Sequence, residues 1–138
     1  MKAAVVAVCV AIFAAGCGSS SPVAATTTAP TLTTELFTGN LPVAGSSFYS
    51  FTVANAGSVS ITLGSLTLGR FSPLAIDVGL GLGVPAGTGC ELTSSLNAVP
   101  ALTAQLMASL GTGTYCVNIS DIGKLSAPVA FTIRIVHP

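Results

Sequence analysis

From Thr34 onward the apolar residues recur at every second position, and turn-forming residues interrupt them at short intervals. Residues 35–41 make a short first segment of this kind, closed by the Gly39-Asn40 and Pro42 signals. In residues 46–55, Tyr49, Phe51 and Val53 alternate with Ser50 and Thr52. The Asn55-Ala56-Gly57 turn leads to Val59, Ile61 and Leu63, and its Asn and Gly suit a tight, hairpin-like connection. Leu74, Ile76, Val78, Leu80 and Leu82 form the longest unbroken alternation. Tyr115, Val117 and Ile119 form another, and Val129, Phe131, Ile133 and Ile135 the last. One stretch fits two periods: Val99, Leu102, Leu106 and Leu110 suit a helix, whereas Leu102, Ala104, Leu106, Ala108 and Leu110 suit a strand. Seven to eight short strands at this spacing predict an all-β sandwich, and in that setting residues 100–110 read as strand.

The first sixteen residues break the pattern. Lys2 supplies one charge, Ala3 to Ala15 is apolar throughout, and Ala14-Ala15-Gly16 precedes Cys17. The apolar run is too short to span a bilayer and has the length of a signal-peptide core. Small residues directly ahead of a cysteine resemble the bacterial lipobox, with Ala14 where Leu is usual. That resemblance implies a leader over 1–16, lipidation of Cys17, and a membrane partner reached through the lipid. Residues 18–33 are Ser, Thr, Ala and Pro with no apolar period, which predicts a flexible tether over 17–33 and a folded domain over 34–138. Gly18 follows the cysteine where Asp would favour inner-membrane retention, which, if the source is Gram-negative, points to the outer membrane over the inner.

Composition narrows the function. Half of the 138 residues are hydrophobic (51%), only 6% are charged, and the net charge is zero. No basic stripe is available for nucleic acid. After the leader no window offers the roughly 18 unbroken apolar residues of a spanning helix. Of the four cysteines, Cys9 lies in the leader and Cys17 is reserved for lipid, so Cys90 and Cys116 remain. In an oxidising compartment two such cysteines pair as a disulfide. With no further Cys or His beside them, they make a poor metal site.

Catalytic chemistry finds little to work with. The one histidine, His137, is penultimate and reads as a chain-end residue; no Gly-x-Ser-x-Gly elbow accompanies it. Glu35, Asp77, Glu91 and Asp121 are scattered along the chain, and acid–base work needs two converging carboxyls. Asp77 opposes the apolar row of its own segment and reads as solvated. Asp121, in Ser120-Asp121-Ile122-Gly123-Lys124, reads as a turn residue bonding local backbone. Gly79-Leu80-Gly81-Leu82-Gly83 lacks the Lys-Ser/Thr of a phosphate loop and reads as a strand with one bare face, open to close packing or a flat ligand. Asn118-Ile119-Ser120 matches a glycosylation sequon, which a bacterial lipobox makes irrelevant. No catalytic residue, cofactor or metal ligand is predicted.

The segments Thr34-Glu35-Leu36-Phe37-Thr38-Gly39-Asn40-Leu41, Phe48-Tyr49-Ser50-Phe51-Thr52-Val53, Gly113-Thr114-Tyr115-Cys116-Val117 and Phe131-Thr132-Ile133-Arg134-Ile135 together resemble bacterial pre-peptidase C-terminal domains. The resemblance implies a jelly-roll-like sandwich, found elsewhere as an appendage of secreted peptidases, with some relatives binding collagen, polysaccharide or calcium. Here the family's acidic central strand is Ala75-Ile76-Asp77-Val78-Gly79, with one carboxylate, which undercuts a calcium site. The resulting expectation is a non-catalytic, lipid-anchored envelope module that binds a polysaccharide, a cell-wall component or a protein. The alternatives are a structural part of an envelope complex or, further off, a hydrolase accessory.

Overall fold

Each period-two row turns one face of a strand inward, and two such layers bury their rows against each other. The computed structural model describes residues 28–138; the predicted leader, Cys17 and most of the predicted tether lie outside the described residues. The strands are β1 (Thr33–Leu41), β2 (Ser46–Val53), β3 (Gly57–Leu68), β4 (Ser72–Pro73), β5 (Val78–Ala86), β6 (Gly89–Ala98), β7 (Leu106–Leu110), β8 (Gly113–Ser120) and β9 (Val129–His137). All pairings are antiparallel. Five strands form one sheet in the order β1-β9-β3, with β4 and β7 sharing the far edge of β3, and four form the other in the order β2-β8-β5-β6. The expected all-β sandwich is therefore present, with nine strands where seven to eight were read. Among the described residues no helix is long and apolar enough to cross a membrane.

The core follows the predicted rows. Val59, Ile61 and Leu63 of β3, Leu80 and Leu82 of β5, Val117 and Ile119 of β8, and Ile133 and Ile135 of β9 are essentially fully buried. At roughly 1.5–3 kcal/mol for each large aliphatic side chain taken from water, this layer dominates the stability. A bulge at Gly64 shifts β3 by one residue, so the inward position after Leu63 is Leu66. Gly39 also faces inward, and a Cβ there would stand 3.1 Å from the Phe131 ring. That glycine is what lets Phe131 pack edge-on against Phe37, with ring centroids 4.8 Å apart.

Four expectations need correction. Residues 74–77 keep the alternation but carry no strand: they cross from β4 in one sheet to β5 in the other, with Leu74 and Ile76 half-buried against the core. Of residues 100–110 only Leu106–Leu110 is strand. Ala101–Gln105 is an irregular segment, and Leu102 is 93% exposed. The Asn55-Ala56-Gly57 turn is no hairpin, because β2 and β3 belong to opposite sheets. Its glycine makes room for Pro138, whose ring would lie 2.6 Å from a Cβ at position 57, and the left-handed backbone falls at Ala44, Gly69, Gly87 and Gly123 instead. Finally, β6 was not foreseen; it is an edge strand whose Glu91, Leu92, Thr93, Ser94 and Ser95 are all exposed, so its sequence shows no buried row.

The irregular segment has a specific purpose. Between β7 and β4 the edge of β3 would be left unpaired at Leu63. The irregular segment fills that gap: Gln105 Oε1 accepts from Leu63 N at 2.8 Å, its Nε2 donates to Leu63 O at 3.3 Å and Val99 O at 2.9 Å, and Ala101 N donates to Leu63 O at 2.9 Å. One side chain and one backbone amide thus stand in for a missing strand residue.

Candidate functional site

Cys90 and Cys116 are joined, as their residues predict, with Cα atoms 5.9 Å apart. The bond connects β6 to β8 across the intervening β5, whose Gly83 pairs with both Leu92 and Cys116. A Cβ on Gly83 would strike the backbone carbonyl of Glu91. Only a bare position there allows β6 to fold over β5 closely enough for its cysteine to reach β8. A bulge between Leu82 and Gly83 supplies the bend, and the Thr93 hydroxyl left at it donates to Leu82 O at 3.1 Å.

The Gly79-Leu80-Gly81-Leu82-Gly83 run is a strand with one bare face, as read, and close packing covers only part of it. Gly83 lies under the β6 backbone, the Leu92 side chain leans over Gly81 and the Ser120 hydroxyl over Gly79, and between these covers both glycines line an outward-facing groove of about 390 Å³. Its walls are Ser95 and Asn97 of β6, Asn118 and Ser120 of β8, and the aliphatic Leu92 and Ile122. The register aligns Phe48, Asn118, Gly81 and Ser95 in one row across the sheet, and Ser46, Ser120, Gly79 and Asn97 in the next. Phe48 keeps 39% of its surface exposed at the end of its row.

The opposite outer face, on the five-stranded sheet, differs in chemistry. A shallower depression of about 280 Å³ lies over Thr62 and Gly64, bordered by Leu36, Leu102 and Arg134. Leu36 is 62% exposed and Met107, on β7, 66%. Leu36, Arg134 and Thr62 form one cross-strand row, and Arg134 is the one charged residue lining the depression.

His137 overturns its reading as a chain-end residue. It continues the inward row Val129, Phe131, Ile133, Ile135, lies only 3% exposed, and faces the Phe51 ring at 5.3 Å. Glu35, in phase with Phe37 on β1, brings Oε1 to 2.9 Å from His137 Nε2, and the Tyr49 hydroxyl donates to Oε2 of the same carboxylate. A carboxylate only accepts, so the shared proton sits on Nε2. That bond to Glu35 pushes the Tyr49 phenol above its ordinary range, with burial and the carboxylate charge adding to it. Both carboxylate oxygens, the imidazole and the phenol are thus committed to one another at the rim of the sandwich, where Glu35 and Tyr49 are half-buried. The arrangement ties β1, β2 and β9 together. Its sequence signal was phase: each of the two ionisable residues extends an apolar row by one step.

Asp121 does bond its local backbone, and more. Oδ1 accepts from the amides of Gly123, Lys124 and Leu125 at 2.9–3.1 Å, while Oδ2 accepts from Ala44 N at 2.7 Å. Asp121 N also donates to Gly45 O at 2.9 Å. The Ala44 amide, followed by the three local amides, holds the Asp121 carboxyl below its usual range. Ala44 itself sits at φ 53°, a left-handed position this anchor stabilises. Asp77 and Glu91 are exposed and stand on separate elements, the inter-sheet crossing and β6. Among the described residues no three His, Cys, Asp or Glu side chains gather as metal ligands.

Neither a protein-family model nor a curated relative matches the sequence. Among solved structures the fold is similar to that of PliG from Aeromonas hydrophila, a periplasmic lysozyme inhibitor of g-type lysozyme. The match has a TM-score of 0.50 at 8% identity and covers 74% of this chain and 83% of that one. At that identity the likeness is one of fold.

Proposed function

We propose that this chain is a lipid-anchored, non-catalytic module of the bacterial envelope that binds a protein partner through the outer face of its five-stranded sheet. The observation that carries the reading is the exposure of Leu36 and Leu102 beside Arg134, with Met107 exposed further along the same sheet. Large apolar side chains left in water beside a single cation are the elements of a protein-docking surface. The complementary partner offers an apolar patch with a carboxylate opposite Arg134. The fold likeness to a periplasmic protein inhibitor supports this reading. The commitment of Glu35, His137 and Asp121 to internal contacts supports a binding role over turnover. The lipobox-like Ala14-Ala15-Gly16-Cys17 supplies the anchor.

A photo-crosslinking residue at position 102 of the full chain, expressed in a bacterial envelope, tests the face. The expected outcome is one discrete protein adduct, absent when the same residue is placed at Thr52 on the other sheet and weakened by Arg134→Glu. Equal labelling from both positions, or none from 102, refutes the reading. Replacing Cys17→Ser should move the protein from the membrane to the soluble fraction; continued membrane attachment removes the anchor. A second reading, assembly by strand addition, rests on the open outer edge of the nine-residue β1. It predicts adducts from β1 edge positions instead.

A further inference from the structure

We infer that the glycine-floored groove on the four-stranded sheet is a binding site for an uncharged oligosaccharide, separate from the protein-docking face on the other sheet. Four properties of the groove select that class of ligand. First, it lies on the face of a sheet, where backbone donors and acceptors are spent on the strand ladders of β2, β8, β5 and β6. A peptide adding itself as a strand needs free backbone groups, so recognition here falls to side chains.

Second, those side chains are amides and hydroxyls: Asn97, Asn118, Ser95 and Ser120 line the groove, and no charged residue does. Amides and hydroxyls donate and accept together, which matches the paired donor and acceptor character of sugar hydroxyls. A phosphate, carboxylate or ammonium ligand finds no counter-charge. Among the described residues, the side-chain hydrogen bonds involve none of these four, so their polar atoms face solvent.

Third, the surface alternates polar and apolar character on the scale of one sugar ring. Leu92, seated over Gly81, and Ile122, beside Gly79, present C–H surface, and the Ser120 hydroxyl lies between them over Gly79. In the row through Asn118 and Gly81, the exposed ring of Phe48 stands beside the amide. An aromatic face next to amide groups takes the C–H side of a pyranose while the amides take its hydroxyls. Fourth, at about 390 Å³ the groove falls within the roughly 300–1,000 Å³ of small-ligand sites. Half open along the sheet, it accommodates one or two residues of a longer glycan that continues into solvent.

The test is calorimetric titration of the full chain with a panel of neutral oligosaccharides (cello-, malto- and chito-oligosaccharides) and oligogalacturonate as the anionic control. Saturable binding of at least one neutral member is expected, weakened at least tenfold by Asn118→Ala and by Phe48→Ala, with oligogalacturonate not binding. Asn97→Ala and Ser95→Ala, both at exposed positions, provide variants whose unchanged melting temperature separates lost contacts from lost fold. Arg134→Glu on the opposite sheet should leave sugar binding intact, so that failure of the docking-face proposal and failure of this one are distinguishable. Absence of binding across the neutral panel overturns the inference. So does preferential binding of oligogalacturonate, or neutral binding that survives all four groove substitutions.

Discussion

The two sheets meet the same difficulty and resolve it by different means. Each contains a bulge with a glycine at it, Gly64 as the extra residue of β3 and Gly83 of β5 opposite the extra Thr93 of β6, where the pairing slips by one residue. In the five-stranded sheet the slip leaves an edge half-paired, and a hydrogen-bonding side chain, Gln105, completes it together with the Ala101 amide. In the four-stranded sheet the slip folds β6 over its neighbour, and a covalent bond fastens it. Bulge geometry alone therefore does not say whether a glycine is needed. What lies above it does: nothing nearer than Thr132 O, at 3.6 Å, would meet a Cβ on Gly64, whereas β6 backbone covers Gly83.

The sharpest way to break the comparison is to exchange both glycines. Gly83→Val should be the most damaging change, because the colliding atoms are backbone and cannot rotate away; a loss of about 3 kcal/mol or more is expected by denaturant unfolding. Gly64→Val should stay within about 0.5 kcal/mol of the parent in the same assay. Comparable losses at both sites would mean that the bulges themselves, and not their covers, dictate glycine. Next in size is the bridge. Cys90→Ala with Cys116→Ala opens a loop of 26 residues and should lower stability by about 3 kcal/mol on a chain-entropy estimate, read as a lower urea midpoint.

Gln105→Ala should cost less, about 1 kcal/mol, since it leaves the Leu63 amide without its partner at a half-buried edge while Leu63 O keeps the Ala101 amide. Hydrogen exchange at Leu63 N should rise in that variant while β5 amides stay protected. The smallest effect is acidic. Because Asp121 is held below its usual range in the folded state, its contribution is present at neutral pH and down to the ordinary carboxylate range near pH 4. It is lost as pH falls further through the depressed value. Asp121→Asn should flatten that part of the acid-unfolding curve; an unchanged curve would exclude the anchor as its source.

How far the sequence foretold this molecule depends on where the relevant information sits. Rows such as Val117–Ile119 and Val129 to Ile135 were legible because one face of each strand is buried, which imposes period two on composition. The edge strand β6 is wet along most of its length, so no such constraint marks it. Leu74 and Ile76 misled for the opposite reason: the crossing between sheets also buries alternate residues, without any ladder. The disulfide was accessible by counting, but its placement within one sheet was not, since that depends on the bend at Gly83. His137 and Glu35 were dismissed as a chain end and a scattered carboxylate, although both were in phase with the rows they extend. Gln105 was invisible, because its work is to imitate a backbone. The groove was half legible: the bare glycine face was evident, but its polar walls come from β6 and β8, far away in the chain.

One property of the bridge reaches beyond its strength. Both cysteines belong to the same layer, so among the described residues no disulfide runs between the two sheets; the chain's own crossings join them, and apolar contact and the Glu35 cluster hold them together. A reductant would therefore act on this protein as on a clasp at the rim of a vessel. Only the Cys90 end of β6 loses its tie to β8, while the strand keeps its ladder to β5 and the two walls of the sandwich hold their places. The end of β6 beside Gly83 would feel the oxidation state of its surroundings; the face around Arg134 would not.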